Sequence, residues 1–188
     1  MAEEFEIREA VADDAEKLLE YSKIIGGETD YLTFGASGFS VTVEEERAYL
    51  QKTREQKNSV HFIVWKDGEI VGEGSLSGLP RRMSHRAELG LAVKKAYWNR
   101  GIGGMLMEKL IAYAKENGIE LLHLEVRSDH ERAIRLYRKF GFQRIGTFPA
   151  FFKLGNEYFD FDWMYLDLRK AAVPPAETTP PDDSNPIL

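Results

Sequence analysis

The sequence contains no cysteine among its 188 residues. That absence excludes disulfides, thiolate metal sites, iron–sulfur clusters and any covalent intermediate on a cysteine. Long apolar stretches are also missing, since none approaches the roughly 18 residues that a membrane-spanning helix needs. The N-terminal MAEEFEI is acidic where a signal peptide is basic, so we expect a cytoplasmic protein with no membrane partner.

Basic residues are fewer than acidic ones: the chain has 25 Lys and Arg and 31 Asp and Glu, which gives a net charge of −6. An acidic chain has no general attraction for nucleic acid, so we predict no nucleic-acid partner and local binding of any anionic ligand. Five of the seven prolines lie in residues 171–188. We predict a flexible tail there, after a single domain at 1–170.

The hydrophobic periodicity predicts strands and helices in the order β-α-α-β-β-β-α-β-α-β-β. The first helix is expected at Ala12–Ile24 and the second at Val43–Gln56, with a loop at Gly26–Ser40 between them. Consecutive hairpins argue against an all-parallel sheet, whereas the β-α-β passage at 87–126 requires one parallel crossover. We therefore predict an α/β (α+β) fold with a mixed central sheet and helices on both faces.

The most informative stretch is VKKAYWNRGIGGML at 93–106, where a predicted strand ends and three glycines open a helix. The first N–H groups of a helix are unsatisfied and glycine lets an anion approach them, so this turn suits a pyrophosphate. A Walker motif is excluded because Gly104 is followed by Met105, and the third glycine of a dinucleotide motif is missing. A plain helix start with glycines for tight packing is the alternative.

Two blocks of the sequence resemble the signature blocks of the GNAT family, the GCN5-related N-acetyltransferases. They are AELGLAVKKAYWNRGIGGMLMEKL and LHLEVRSDHERAIRLYRKFGF, in the family order, and the resemblance extends over roughly residues 3–168. It implies a GNAT fold with a mostly antiparallel sheet, acetyl-CoA as cosubstrate and a homodimer. It also implies acetyl transfer to a primary amine, either of a small molecule or of a peptide N-terminus.

The resemblance further implies the residues that bind the cofactor. The pantetheine arm would pair with the backbone of Leu91, Ala92 and Val93. The phosphate cradle would comprise Trp98, Asn99, Arg100, Gly101, Ile102, Gly103 and Gly104. Two positions depart from the family pattern: Trp98 replaces the usual Arg or Gln, and His130 replaces an Asn that contacts the pantetheine region. We expect the His130 imidazole to supply a hydrogen bond there.

Three side chains are candidates for the acid–base chemistry that the resemblance implies. Tyr137 is the expected acid near the cofactor sulfur, and a core aromatic on the helix stripe is the alternative. Glu125 and Glu88 are candidates for the base, and for each the alternative is a charge paired with a nearby Arg. Without a cysteine to hold an acetyl group, direct attack by the amine in a ternary complex is expected.

The acceptor side is expected at residues 28–34, between the first two helices. Glu28 and Asp30 with Tyr31 and Phe34 would suit a cationic, partly apolar amine, although a solvated surface loop is the alternative. Tyr137 and the glutamates favour an acyltransferase, whereas the departures at Trp98 and His130 keep open a non-catalytic acyl-CoA-binding module or sensor. The histidines lack metal-ligand spacing, so no metal is predicted.

Overall fold

A computed structural model describes residues 4–169, so the tail predicted at 171–188 lies outside the described residues. The strands are β1 (Glu6–Glu9), β2 (Val60–Lys66), β3 (Glu69–Gly78), β4 (Arg86–Val93), β5 (Leu121–Arg127), β6 (Gln143–Leu154) and β7 (Glu157–Asp167). The helices are α1 (Ala15–Glu28), α2 (Val43–Glu55), α3 (Ile102–Glu116) and α4 (Glu131–Lys139). None of these helices is long and apolar enough to cross a membrane.

All seven strands form one sheet in the order β1-β2-β3-β4-β5-β7-β6. Every neighbouring pair in the described chain is antiparallel except β4 and β5, which α3 connects as a parallel crossover. The predicted mixed, mostly antiparallel sheet is therefore confirmed. The single parallel pair lies at the centre of the sheet, where the glycine-rich turn follows β4.

The helices cover both faces of the sheet, as the sequence predicts. On β2, Ile63 packs with α1 and α2, whereas its neighbour Val64 packs with Ile102 and Leu106 of α3. Successive strand residues point to opposite faces, so this alternation separates the core into two layers. One layer holds α1 and α2, and the other holds α3 and α4.

Local sequence accounts for the ends of the helices, with one correction. Thr42 caps α2 because its hydroxyl oxygen accepts a hydrogen bond from the Glu45 N–H. The Glu45 carboxylate in turn accepts a hydrogen bond from the Thr42 N–H. The first helix runs on to Glu28, so the prediction that Gly26 begins a loop was wrong. Gly26 lies within the helix, and a Cβ there would collide with the backbone carbonyl of Gly35, so the glycine allows the following loop to pack against α1.

Candidate active site

A cleft opens in the sheet where β4 and β5 part. Their pairing is limited to Arg86–Glu88 against Leu121–His123, although β4 continues to Val93 and β5 to Arg127. A cavity of about 500 Å³ occupies the gap. It is lined by residues from both faces of the sheet, including α1, the loop after it, and the starts of α3 and α4. A ligand in this cavity can therefore be reached from the two faces.

The backbone of β4 provides hydrogen-bonding groups along the cleft. Lys94 N–H donates to Val71 O of β3, and His85 O accepts from Leu121 N–H of β5. Backbone groups of successive strand residues point to alternate sides, so the even-numbered residues of β4 bond to β3 and the odd-numbered residues face away from it. Leu91 and Val93 lie beyond the last pair with β5. Trp98 Nε1 donates to Val93 O at 2.7 Å, which leaves the Val93 N–H and both groups of Leu91 available to an extended ligand.

The start of α3 carries N–H groups without helical partners, in the turn for which the sequence predicts a phosphate cradle. Gly101 has a φ of +86° and provides no side-chain cap, and the first bond of the helix is from Met105 N–H to Gly101 O. The N–H groups of Ile102, Gly103 and Gly104 therefore lack a carbonyl partner within the helix, and all three residues line the cavity. A Cβ on Gly104 would meet no protein atom within 4 Å, so that position is kept open on the cavity side.

Nearly all of the residues predicted to hold the phosphates line the cavity around this helix start. Trp98 and Asn99 line the cavity with the three glycines, whereas Arg100 does not, and its guanidinium lies 5.0 Å from the ring centre of Tyr97. Arg132 of α4 lies 4.4 Å over the Trp98 ring and also lines the cavity. A cation thus lies beside the cradle although Trp98 replaces the usual cationic or amide side chain.

Tyr137 lies on α4, on the face that carries α3, and packs against Phe142 in the core. Its ring is buried, yet the residue lines the cavity, and within residues 4–169 its hydroxyl makes no hydrogen bond. Burial raises the pKa of Tyr137 to about 12 because the phenolate would be poorly solvated. The hydroxyl is therefore a proton donor whose partner has to come from the cavity.

Glu88 and Glu125 line the same cavity from the opposite face of the sheet. Leu124 and Val126 of β5 pack into the layer that contains Tyr137, so the intervening Glu125 points the other way. Burial, together with the charge of Glu88, raises the pKa of Glu125. Neither carboxylate makes an ion pair or hydrogen bond with another side chain in the described chain.

A stack of four side chains lies where the loop after α1 meets the cavity. The rings of Tyr31 and His130 are parallel with centres 3.8 Å apart, and the Arg127 guanidinium lies 4.3 Å from the ring centres of both Tyr31 and Phe159. Asp129 binds Arg127 through both carboxylate oxygens, at 2.6 and 2.8 Å. The stack connects the loop after α1 to β5, α4 and the β6–β7 hairpin.

Two further residues that line the cavity, Glu28 and His130, are affected by their surroundings. One carboxylate oxygen of Glu28 accepts a hydrogen bond from the Lys95 N–H at 2.7 Å. Burial, reinforced by the charges of Arg132 and Arg127, lowers the pKa of His130 to about 4. His130 is therefore uncharged at neutral pH and lines the cavity while its ring face rests on Tyr31. The hydrogen bond predicted from His130 to the cofactor stays a prediction.

Sequence reasoning missed two residues that support the site. The Tyr21 hydroxyl of α1 donates a hydrogen bond to Ala92 O at 2.9 Å. This bond holds β4, which lines the cavity, to the layer of α1 and α2. Arg127 is the second, and its side chain is only 10% exposed despite its charge. The one available signal was the position of Arg127 at the end of a buried strand run, directly before the polar residues that open α4.

Comparisons with known proteins agree with this geometry. The acetyltransferase (GNAT) family model matches residues 30–142. The N-alpha-acetyltransferase RimI of Mycobacterium tuberculosis is 35% identical over 98 residues, which cover 51% of this chain and 60% of that protein. The L-amino acid N-acetyltransferase AaaT of Escherichia coli is 32% identical over 105 residues, covering 55% of this chain and 65% of that protein. The chain therefore matches less than two thirds of the length of these two relatives.

A solved structure extends the likeness over nearly the whole described chain. The acetyltransferase of the GNAT family from Streptococcus pneumoniae superposes with a TM-score of 0.85 at 29% identity. The superposition covers 88% of this chain and 99% of that one. The family model spans more than half of the sequence, and the parted strands and the glycine-rich helix start lie within it. The chain belongs to the GNAT acetyltransferase family.

Proposed function

We propose that this protein transfers the acetyl group of acetyl-CoA to a primary amine by direct attack within a ternary complex. The observation that carries the proposal is the cavity between β4 and β5, which places Tyr137 on one face of the sheet and two uncompensated glutamates on the other. Such a site admits a thioester from one side and an amine from the other. The absence of cysteine supports direct attack, because no thiol is present to carry the acetyl group.

The residues present fit acetyl-CoA at both ends of the molecule. The free N–H groups of Ile102, Gly103 and Gly104 would hold the pyrophosphate, and the backbone of Leu91 and Val93 would hold the pantetheine arm. Arg132, above Trp98, would add positive charge near the phosphates. Acetyl-CoA supplies an activated acetyl thioester, and the protein supplies orientation and proton transfer.

The proton transfers are assigned by charge and position. An amine arrives as an ammonium ion, and Glu125 or Glu88 accepts its proton, directly or through water. As the C–N bond forms and the C–S bond breaks, the Tyr137 hydroxyl protonates the leaving sulfur, and the second proton that the nitrogen loses returns to the Tyr137 oxygen through solvent. A backbone N–H of β4 that faces the gap stabilises the negative charge on the carbonyl oxygen. The products are the acetylated amine and free CoA, with one proton released.

Acetyl transfer is tested by thiol release from acetyl-CoA in the presence of a panel of primary amines. We expect free thiol to appear only when an amine is added, with an equal amount of acetylated amine detected by mass spectrometry. CoA binding by calorimetry, without turnover on any amine, would instead establish a non-catalytic acyl-CoA-binding module and overturn the proposal.

The identity of the base is tested through the coupling between the two glutamates. Because the charge of Glu88 helps to raise the pKa of Glu125, the substitution Glu88→Gln lowers that pKa. If Glu125 is the base, Glu88→Gln moves the acid limb of the kcat/KM profile to lower pH, and Glu125→Gln removes the limb with most of the rate. Glu116→Gln, at the exposed end of α3, is the matched control and leaves the profile unchanged.

The opposite pattern would assign the base to Glu88. In that case Glu88→Gln removes the acid limb, whereas Glu125→Gln retains it. An unchanged profile in both variants would contradict a role for either carboxylate in deprotonating the amine.

The homodimer implied by the family resemblance is part of this proposal. Strand β6 lies at the edge of the sheet, and its Ile145 and Phe148 are 63% and 52% exposed. An exposed apolar edge strand is a surface on which a second copy can pair.

A further inference from the structure

We infer that the acceptor is an amine with an apolar substituent and no neighbouring carboxylate, and that free α-amino acids are poor substrates. The inference rests on the proposed function, because it names the substrate class of the same site. It is drawn from the charges that face the acceptor end of the cavity. A cationic amine finds partners there, whereas a carboxylate finds only like charge.

The negative charge at the acceptor end is uncompensated. Glu88 and Glu125 both line the cavity, and in the described chain neither has an ion-pair or hydrogen-bond partner. Each repels the other, and this repulsion is relieved when an ammonium ion binds between them. A zwitterionic amino acid gives up part of this gain, because its carboxylate is brought close to the same two anions.

Arg127, one of the two described cationic side chains that line the cavity, already has an ion-pair partner. Among the described residues that line the cavity, Arg127 and Arg132 are the only Arg or Lys. Arg127 is held by both oxygens of Asp129, donates to Asp30 O at 3.2 Å, and lies against two aromatic rings. Its charge is neutralised and its side chain is fixed.

The other two basic side chains do not replace it. Arg132 lies over Trp98 beside the phosphate cradle, on the cofactor side of the cavity. His130 is uncharged at neutral pH because its pKa is about 4, and its ring face is covered by Tyr31. No described cation is therefore available to pair with a substrate carboxylate at the acceptor end.

The walls of the acceptor end are apolar and held in place. Leu32, Phe34 and Phe161 line this part of the cavity together with Tyr31. Leu32 and Phe34 also pack against the α1–α2 core, and Tyr31 is clamped between Arg127 and His130. A rigid apolar wall beside an anionic centre matches an ammonium ion that carries an apolar group.

The test compares phenylalanine, phenylalaninamide and phenethylamine, which share one side chain and differ only at the carboxyl position. Initial rates are measured with saturating acetyl-CoA and expressed per concentration of the ammonium form, which is the form that the two glutamates attract, because the amide group lowers the pKa of the amine itself. We expect kcat/KM for the amide and for phenethylamine to exceed that for the free acid by at least about tenfold. The amide–phenethylamine ratio then separates a peptide-like acceptor from a simple alkylamine.

A designed cation provides an independent arm of the test. Thr33 is exposed and lines the cavity, so Thr33→Arg places positive charge at the acceptor end. We expect this variant to lower the amide-to-acid preference several-fold, and added salt to weaken that change. Thr33→Gln, which adds bulk without charge, is the matched control and keeps the preference of the original protein.

The outcomes separate this inference from the proposed function. Equal or better use of phenylalanine, with turnover of all three compounds, overturns the inference and leaves acetyl transfer intact. A Thr33→Arg variant that behaves like Thr33→Gln also contradicts the electrostatic argument. Turnover of none of the three, despite measurable CoA binding, overturns both the inference and the proposed function.

Discussion

Replacing Tyr137 with phenylalanine is expected to lower kcat by about 100-fold or more while the affinity for CoA stays within about twofold. The hydroxyl is the only polar atom removed, and it makes no hydrogen bond within residues 4–169. Its pKa of about 12 keeps it protonated throughout the working pH range, so it can act as the acid for the leaving thiolate. Loss of that donor affects the transition state and leaves the bound ground state unchanged.

The appropriate control for this variant is Tyr113→Phe. Tyr113 lies on α3 outside the cavity, where its hydroxyl donates to Ser59 O at 2.9 Å. Its removal is expected to cost about 1 kcal/mol of stability with no change in kcat. Steady-state kinetics, urea unfolding and CoA calorimetry on both variants separate catalysis from folding. A Tyr137→Phe enzyme that retains most of its kcat would show that the tyrosine is a core aromatic only.

The second large effect is expected at Gly104, where adding one methyl group should strengthen folding and weaken cofactor binding. Gly104 is helical and a Cβ there meets no protein atom within 4 Å, so Gly104→Ala gains about 0.5 to 1 kcal/mol of helix stability. The same methyl occupies the space beside the free N–H groups of α3. We expect the affinity for CoA to fall by about tenfold or more, since close approach of the phosphates is lost.

Gly27→Ala in α1 is the matched control for this change. A Cβ on Gly27 would make an ordinary contact of 3.5 Å with the Ala36 Cβ, outside the cradle. This variant is expected to gain similar stability and to bind CoA as the original protein does. Urea unfolding and calorimetry measure the two quantities separately. Unchanged CoA affinity in Gly104→Ala would show that the glycines serve packing alone.

Such packing is indeed the role of one glycine in the same turn. A Cβ on Gly103 would come within 3.0 Å of Leu136 Cδ2, which shows that Gly103 lets α3 approach α4 closely. Tight helix packing therefore accounts for the missing side chain at Gly103, whereas the space beside Gly104 is open, as an anion site requires. Because both residues are glycine, the sequence alone does not distinguish them.

Short-range patterns in the sequence predicted most of the strands and helices of the fold. Alternation of apolar residues on β4 and β5, and helical spacing on α3 and α4, identified the elements that build the cavity. The helix α1 ends at Glu28, beyond the predicted end at Ile24 and inside the predicted loop at Gly26–Ser40. The close approach of the Gly35 carbonyl to Gly26 joins two segments whose contact local sequence does not show.

The sequence indicates individual candidate residues more readily than it indicates how they are arranged in space. Period-two alternation places Glu125 opposite its strand neighbours, but the sequence does not say which face of the sheet carries Tyr137. Likewise, nothing in the sequence shows that Arg127 is neutralised by Asp129 and held between Tyr31 and Phe159. These contacts join segments that are far apart in the chain.

The sequence by itself determined the class of elements, the absence of thiol chemistry and the glycine-rich helix start. Each of these depends on residues within one or two turns of each other, or on composition alone. The tertiary structure decided where β4 and β5 part, which face receives each proton-transfer group, and which charges stay uncompensated. Strand pairing and ion pairing depend on distances between remote segments, which become defined only when the whole sheet is assembled.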